Sequence, residues 1–106
     1  MVSLYNHYRF GISAHEWLQK CSANQLKIVP MKDIDFNFKV EMDERYYLAD
    51  IRFPIILLTQ PNGRYLIVDG YHRFLKLLNN EATTAIAFII NHSNLNETEK
   101  RVSQTL

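Results

Sequence analysis

The chain has 106 residues, 47% of them hydrophobic and 22% charged. That apolar fraction argues against a disordered chain, and no apolar run approaches the ~18–20 residues that cross a bilayer. Twelve Lys and Arg against eleven Asp and Glu leave a formal charge of +1, too little to bind duplex DNA by bulk charge, although a local phosphate site remains open. The length predicts one domain over residues 1–106, with a core at about 26–90 and a polar tail from 91 to 106. The one cysteine, Cys21, makes no intrachain disulfide, and zinc-ligand spacing is missing. The N-terminus lacks the apolar core of a signal peptide, so the expectation is a cytoplasmic protein with no membrane contact.

In chain order, Ser13-Ala-His-Glu16 is a capping-box pattern that predicts a short helix over about 14–22. Leu26-Lys-Ile-Val29 favours a strand, stopped by Pro30. The alternation Phe36, Phe38, Val40, Met42 fits a half-buried strand or an extended arm. Asp43 is positioned to cap a helix through Glu44–Ala49. Phe53-Pro-Ile-Ile-Leu-Leu58 and Arg64-Tyr-Leu-Ile-Val68 are apolar throughout and flank Gln60-Pro-Asn-Gly63, a turn by its chemistry. Residues 54–68 therefore read as a hairpin inside a sheet. Tyr71, Phe74, Leu75 and Leu78 then follow at helical spacing, with Asn80 as a stop. Ala85–Ile90 is a further buried strand, and Asn94-x-x-Glu97 offers a last helix start. The fold class expected is α+β, a small mixed sheet with flanking helices.

The chemistry concentrates in Val68-Asp-Gly-Tyr-His-Arg-Phe-Leu-Lys76, where a buried strand runs through one glycine into a helix. A helix start presents unpaired N–H groups and the positive end of the dipole, both of which favour an anion. Gly70 admits a close ligand or a strained backbone. Arg73 offers a planar fork matched to phosphate oxygens, and His72 could donate a hydrogen bond or carry a proton near neutrality. Asp69 could orient His72, act as a base or hold a cation. Lys76, one turn on, could add charge to the same site, and Tyr71 could stack on a base. A purely structural account also exists: Asp-Gly is a good strand-to-helix turn, Lys76 a solvated residue, and Tyr71 a core aromatic on the face of Phe74. Against it, two basic residues in a first helical turn oppose the dipole unless an anion is present.

These residues, with Phe53-Pro-Ile-Ile-Leu57 before them, Ala85-Ile-Ala-Phe-Ile89 after them and Lys27–Ile34 as an opening strand, resemble the ParB/sulfiredoxin superfamily over about residues 26–90. The resemblance implies a small α+β fold that binds nucleotide phosphates at the strand–helix turn. Sulfiredoxins place a cysteine where this chain has Tyr71, which argues against their reductase chemistry. ParB proteins carry Gly-Glu-Arg-Arg, bind CTP and add a DNA-binding region. Free-serine kinases carry Asp-Gly-His-His-Arg, matched here by Asp69, Gly70, His72 and Arg73. Their catalytic acid near the first strand has only candidates here: Asp33, Asp35 and Glu41.

The resemblance thus implies ATP, ADP or CTP with Mg²⁺ as cofactors. The catalytic candidates are Asp69 and His72. The phosphate-binding candidates are Gly70, Tyr71, His72, Arg73 and Lys76. The leading expectation is nucleotide-dependent phosphotransfer or phosphoester hydrolysis, of ATPase, kinase or nuclease type. The alternative is a non-catalytic module that binds a nucleotide or nucleic acid as a signal, as a monomer or homodimer. Asp50 is a further loop carboxylate, while His7, His15 and His92 are isolated and suggest no metal site.

Overall fold

A computed structural model describes residues 14–36 and 42–94. The elements in chain order are α1 (Ala14–Gln19), β1 (Leu26–Pro30), β2 (Ile34–Asp35), α2 (Glu44–Leu48), β3 (Ile55–Thr59), β4 (Tyr65–Asp69), α3 (Tyr71–Asn79) and β5 (Thr84–Ile90). The five strands form one sheet in the order β1-β5-β3-β4-β2. β1–β5 and β3–β4 pair antiparallel, while β3–β5 and β2–β4 pair parallel. This is the mixed sheet with flanking helices that the sequence predicts.

β3 lies at the centre, and its first four residues are all fully or nearly fully buried. A strand covered on both faces has no polar alternation, which is why its sequence is a continuous apolar run. On one face, Ile55, Leu57 and Ile67 meet Tyr71 and Phe74 of α3, joined by Val29, Met31, Ile34, Ala85, Ala87 and Ile89. On the other, Ile56, Leu58, Val68 and Ile90 meet Trp17 of α1. The turn between β3 and β4 closes through the Gln60 N–H on the Arg64 carbonyl at 2.9 Å, with Gly63 at positive φ. Arg64 also holds β2: its Nε donates to Asp35 at 2.7 Å and an Nη to the Lys32 carbonyl at 2.8 Å, while Gln60 donates to the other Asp35 oxygen.

Several expectations shift in detail. Pro30 does not stop β1 but ends it in register with Thr84. The strand or extended arm expected from Phe36 to Met42 falls mostly on residues 37–41, which lie outside the described residues, as do Ser13 and residues 95–106; β2 at Ile34–Asp35 precedes that span. Phe36 is half exposed and packs its ring on Phe74 at 5.0 Å between centroids. On α3 the buried stripe is Tyr71 and Phe74 with Leu77 packed against the core, whereas Leu78 is 40% exposed. α3 is therefore rotated from the expected stripe, because its opposite side is engaged by α2 through His72, Lys76 and Asn79.

α3 closes in a Schellman arrangement. The Ala82 N–H donates to the Leu77 carbonyl and the Glu81 N–H to that of Leu78. Glu81 sits at φ +59, the left-handed position usually given to glycine. An L side chain there costs of order 1 kcal/mol. Glu81→Gly is expected to stabilise the fold by about 0.5–1 kcal/mol, read as a higher urea midpoint at unchanged slope.

Candidate functional site

β4 and α3 meet with one residue between them. In the β3–β4 ladder Leu57 faces Ile67 while Ile56 faces Asp69, so Val68 is an extra residue on β4. Such a bulge bends the strand and leaves the extra residue outside the ladder. The buried Tyr71 hydroxyl donates to the Val68 carbonyl at 3.0 Å. Gly70 then turns the chain at φ +89 and ψ +32 and caps α3 with no side-chain acceptor. A Cβ at Gly70 would lie 3.0 Å from Ile55 Cγ2 and 3.1 Å from Arg73 Nη2. The left-handed backbone favours glycine, and a Cβ there would also stand 3.2 Å from the Ile55 Cα and crowd the Arg73 guanidinium.

The turn sets three groups side by side. The amides of Tyr71, His72 and Arg73 have no acceptor within the helix, since the first α-helical bond runs from Phe74 N–H to the Gly70 carbonyl at 2.9 Å. The Arg73 guanidinium folds back over Gly70, and its Nε is buried without a hydrogen-bond partner. No described carboxylate pairs with Arg73. An unmatched buried donor costs about 1–3 kcal/mol, so its retention beside a helix N-terminus points to an acceptor supplied from outside.

His72 is largely buried, with 14% of its side chain exposed, and its Nε2 lies 3.3 Å from Asp43 Oδ1. The carboxylate on His72 is therefore Asp43, at the N-terminus of α2, and not Asp69. Asp69 is opposite Ile56 and so shares the sheet face that carries Trp17, where its charge reaches Cys21. The Cys21 thiol is pushed up by burial and then by Asp69. The bulge at Val68 explains the correction, because it turns Asp69 to the face opposite α3.

Asp43 caps α2 by accepting the Tyr46 N–H at 3.3 Å, and its second oxygen receives Arg45 Nη2 at 3.5 Å. Burial opposes its ionisation, but Tyr46, His72 and Arg45 together outweigh that and hold the carboxyl below its ordinary range. For His72, burial first and Arg45 second push the imidazole below its ordinary value of 6.5; Asp43 resists without reversing the shift. The neutral imidazole is accordingly the form present at pH 7.

The remaining candidates are dispersed. Lys76 donates to the Tyr47 and Ala49 carbonyls at 3.0 and 2.9 Å and sits 5.7 Å above the Tyr46 ring, so its ammonium caps the C-terminal end of α2. Tyr71 lies in the core with its hydroxyl on β4, leaving its backbone amide as what it presents at the turn. Asp35 is fixed by Arg64 and Gln60 beside Leu66, roughly 13 Å along β4 from Gly70 at ~3.3 Å per residue. Asp33 precedes the same short strand, and Glu41 is outside the described residues. Asp50 is forked by Arg52 and held at about 2 by it. Among the described residues no group of three His, Cys, Asp or Glu could hold a metal ion, and no helix is long and apolar enough to cross a membrane.

The fold, a mixed five-stranded sheet whose fourth strand runs through a glycine turn into a helix, is similar to that of solved ParB structures. The chain superposes on the C-terminally truncated chromosome-partitioning protein ParB of Caulobacter crescentus, complexed with CTP-gamma-S, with TM-score 0.51 and 18% identity over 73% of this chain and 49% of that one. The same protein complexed to the centromeric parS site gives TM-score 0.50 and 19% identity over 72% and 43%. Among curated proteins, the ATP-dependent L-serine kinase SbnI of Staphylococcus aureus is 36% identical over 59 residues, 49% of this chain and 23% of that protein. The chain thus spans about a quarter of that relative and less than half of the ParB chains. No family model matches it.

The opposing influences on His72 are separable by NMR. Its imidazole is expected to titrate below 6.5. Asp43→Asn should lower the midpoint further and Arg45→Ala should raise it. Because the unfolded chain binds the proton more tightly, this group's contribution to stability is complete above about 6.5 and is lost as pH falls through the folded midpoint. A His72 midpoint above 6.5 would contradict the burial seen here.

Proposed function

We propose that the domain binds the phosphates of a nucleotide at the start of α3. In this reading the amides of residues 71–73 and the Arg73 guanidinium hold the anion, and His72 with Asp43 behind it carries the chemistry. The observation that carries it is the buried, unmatched Nε of Arg73 folded over Gly70 at a helix end with no side-chain cap acceptor. A phosphate oxygen would satisfy that donor, the backbone amides and the dipole together.

The leading activity is nucleotide-dependent phosphotransfer or phosphoester hydrolysis, with ATP, ADP or CTP as the nucleotide. A neutral imidazole in the first turn of the helix is suited to take or return a proton at an attacking or leaving oxygen. Asp43 fixes the ring: with Nε2–H directed at its carboxylate, Nδ1 is the unprotonated nitrogen. The amides and Arg73 then stabilise charge that builds on the transferring group. The match to an ATP-dependent serine kinase supports this reading. Mg²⁺ fits less well. Asp43 is occupied by Tyr46, His72 and Arg45, and Asp69 faces away, so these residues make no dedicated cation site and no step here depends on one.

A second reading, a non-catalytic module that takes the nucleotide or a nucleic acid as a signal, is favoured by one fact. The likeness to ParB extends over 73% of the chain and that to the kinase over 49%. Turnover separates the two: product from ATP, ADP or CTP supports the enzyme, and binding without product supports the module.

Calorimetry tests the site itself. Arg73→Ala should weaken nucleotide binding by ~1.5–3 kcal/mol, the usual worth of a charge-assisted hydrogen bond. Gly70→Ala should weaken it as well, because the new methyl group displaces the guanidinium. Unchanged affinity in Arg73→Ala for every nucleotide that the wild type binds would remove Arg73 from the site.

A further inference from the structure

β1 ends the sheet, and among the described residues no strand pairs with its outer edge. One hydrogen bond fixes where its backbone groups point. The Met31 N–H donates to the Thr83 carbonyl at 2.9 Å, one step beyond the Pro30–Thr84 pair. Successive residues of an antiparallel ladder alternate, so Val29 and Lys27 also turn their N–H and C=O groups to β5. Leu26, Ile28 and Pro30 turn theirs outward. The N–H that proline lacks is thus one that β5 never needed.

The side chains along that edge are apolar and uncovered. Leu26 pairs with Phe88 and Ile28 with Ile86, while Phe88 pairs in turn with Ile56. The row therefore lies on the sheet face that Trp17 of α1 covers. That cover stops short of the edge: Ile28 is 72% exposed, Leu26 44% and Ile86 42%. Single exposed apolar residues are ordinary, but adjoining ones on an unpaired edge form a surface that a further strand would complete.

Lys27 and Pro30 are residue types that commonly guard an edge, and here they restrict pairing without preventing it. Their positions select among the ways that two copies of β1 can meet antiparallel about a two-fold axis. An axis through Lys27 sets two like charges directly opposite, with the Cα atoms ~4.5 Å apart. An axis through Val29 sets Ile28 against the second copy's Pro30, which returns no donor. An axis through Ile28 avoids both faults. Ile28 then exchanges both of its bonds with its copy, and Leu26 donates to the second copy's Pro30 carbonyl. Lys27 faces Val29, and only the bond that Pro30 would donate is absent.

We propose that this edge is a homodimer interface, in which two chains join β1 to β1 antiparallel about a two-fold axis through Ile28 and form one continuous sheet. The apolar centre is Ile28 from both copies, extended on each side by Leu26 and Ile86. A strand of this length makes a small contact, so the association is weak and concentration-dependent. The inference is independent of the phosphate site, because β1 lies three strand positions from β4, ~14 Å at ~4.8 Å per strand.

The test is sedimentation of the full chain from micromolar to millimolar concentration, where monomer should pass to dimer. Ile28→Asp should hold the chain monomeric across that range with native-like circular dichroism, since the side chain is exposed in the monomer. Ile28→Pro should do the same by removing an outward donor that no bond to β5 uses. Disulfide trapping in a Cys21→Ser chain reads the register. Ile28→Cys should cross-link on oxidation, because the residues of a hydrogen-bonded pair stand ~5.5 Å apart at Cα. Leu26→Cys should not, its two copies being at least ~13 Å apart. A wild type that stays monomeric at every concentration would overturn the proposal. So would a dimer that Ile28→Asp leaves intact, or one that Leu26→Cys traps in preference to Ile28→Cys. Exchange-protected Leu26 and Ile28 amides in a monomer would overturn it too, and would assign the edge to another segment of the same chain.

Discussion

The site depends on one backbone constraint, the left-handed turn at Gly70. The bulge at Val68 bends β4 and turns Asp69 to the α1 face, and the next residue must redirect the chain into a helix without a Cβ. That single position determines where the first amides of α3 point. It also leaves the space into which the Arg73 guanidinium folds, 3.1 Å from where a methyl group would stand. Ile55 closes the other side of the same space, so the central strand of the sheet forms the floor of the site. The rigidity of the site is thus that of the sheet core.

A second layer of order comes from α2. Five residues of helix cannot hold themselves in water, and α2 persists because α3 supplies its partners. His72, Lys76 and Asn79 fall at i, i+4 and i+7, one stripe of α3, and they meet Asp43, the Tyr47 and Ala49 carbonyls, and the Tyr46 hydroxyl. The stripe is polar, yet it is an interface and not a solvated face. Its N-terminal member is the histidine of the site, so the packing of α2 and the environment of His72 are one arrangement. The burial that lowers the imidazole's proton affinity and the carboxylate that orients it both come from this contact.

Much of the fold was legible because its signals are local. The turn at Gln60–Gly63, the doubly buried run of β3, the capping by Asp43 and the change of period after Gly70 each follow from the residues at those positions. The two-residue β2 is a counter-example: nothing in Ile34–Asp35 by itself marks a strand, yet the two residues pair with Tyr65 and Leu66 of β4. Ladder partners are a property of two segments, and one segment's pattern cannot supply them. Asp43 shows the same limit at the site. Its role as a helix cap could be read four residues either way, but its second role lies 29 positions away in sequence, on His72. The one local signal was the pairing of a capping aspartate with Arg45 two residues later, and nothing in it named a histidine.

By itself the sequence determined the class of fold, the glycine turn and the concentration of candidate anion-binding groups at residues 70–73, because periodicity, turn chemistry and helix-end electrostatics act over a few residues. Tertiary structure alone decided which carboxylate serves the histidine. Asp69 is adjacent in sequence but on the wrong side of the sheet once Val68 bulges. Asp43 is distant in sequence but brought against α3 by the docking of α2. It likewise decided that Lys76 ends a helix while Arg73 is left with a buried donor to satisfy. Which cation is spent and which is spare depends on what else packs nearby, and that is fixed only when the chain has folded.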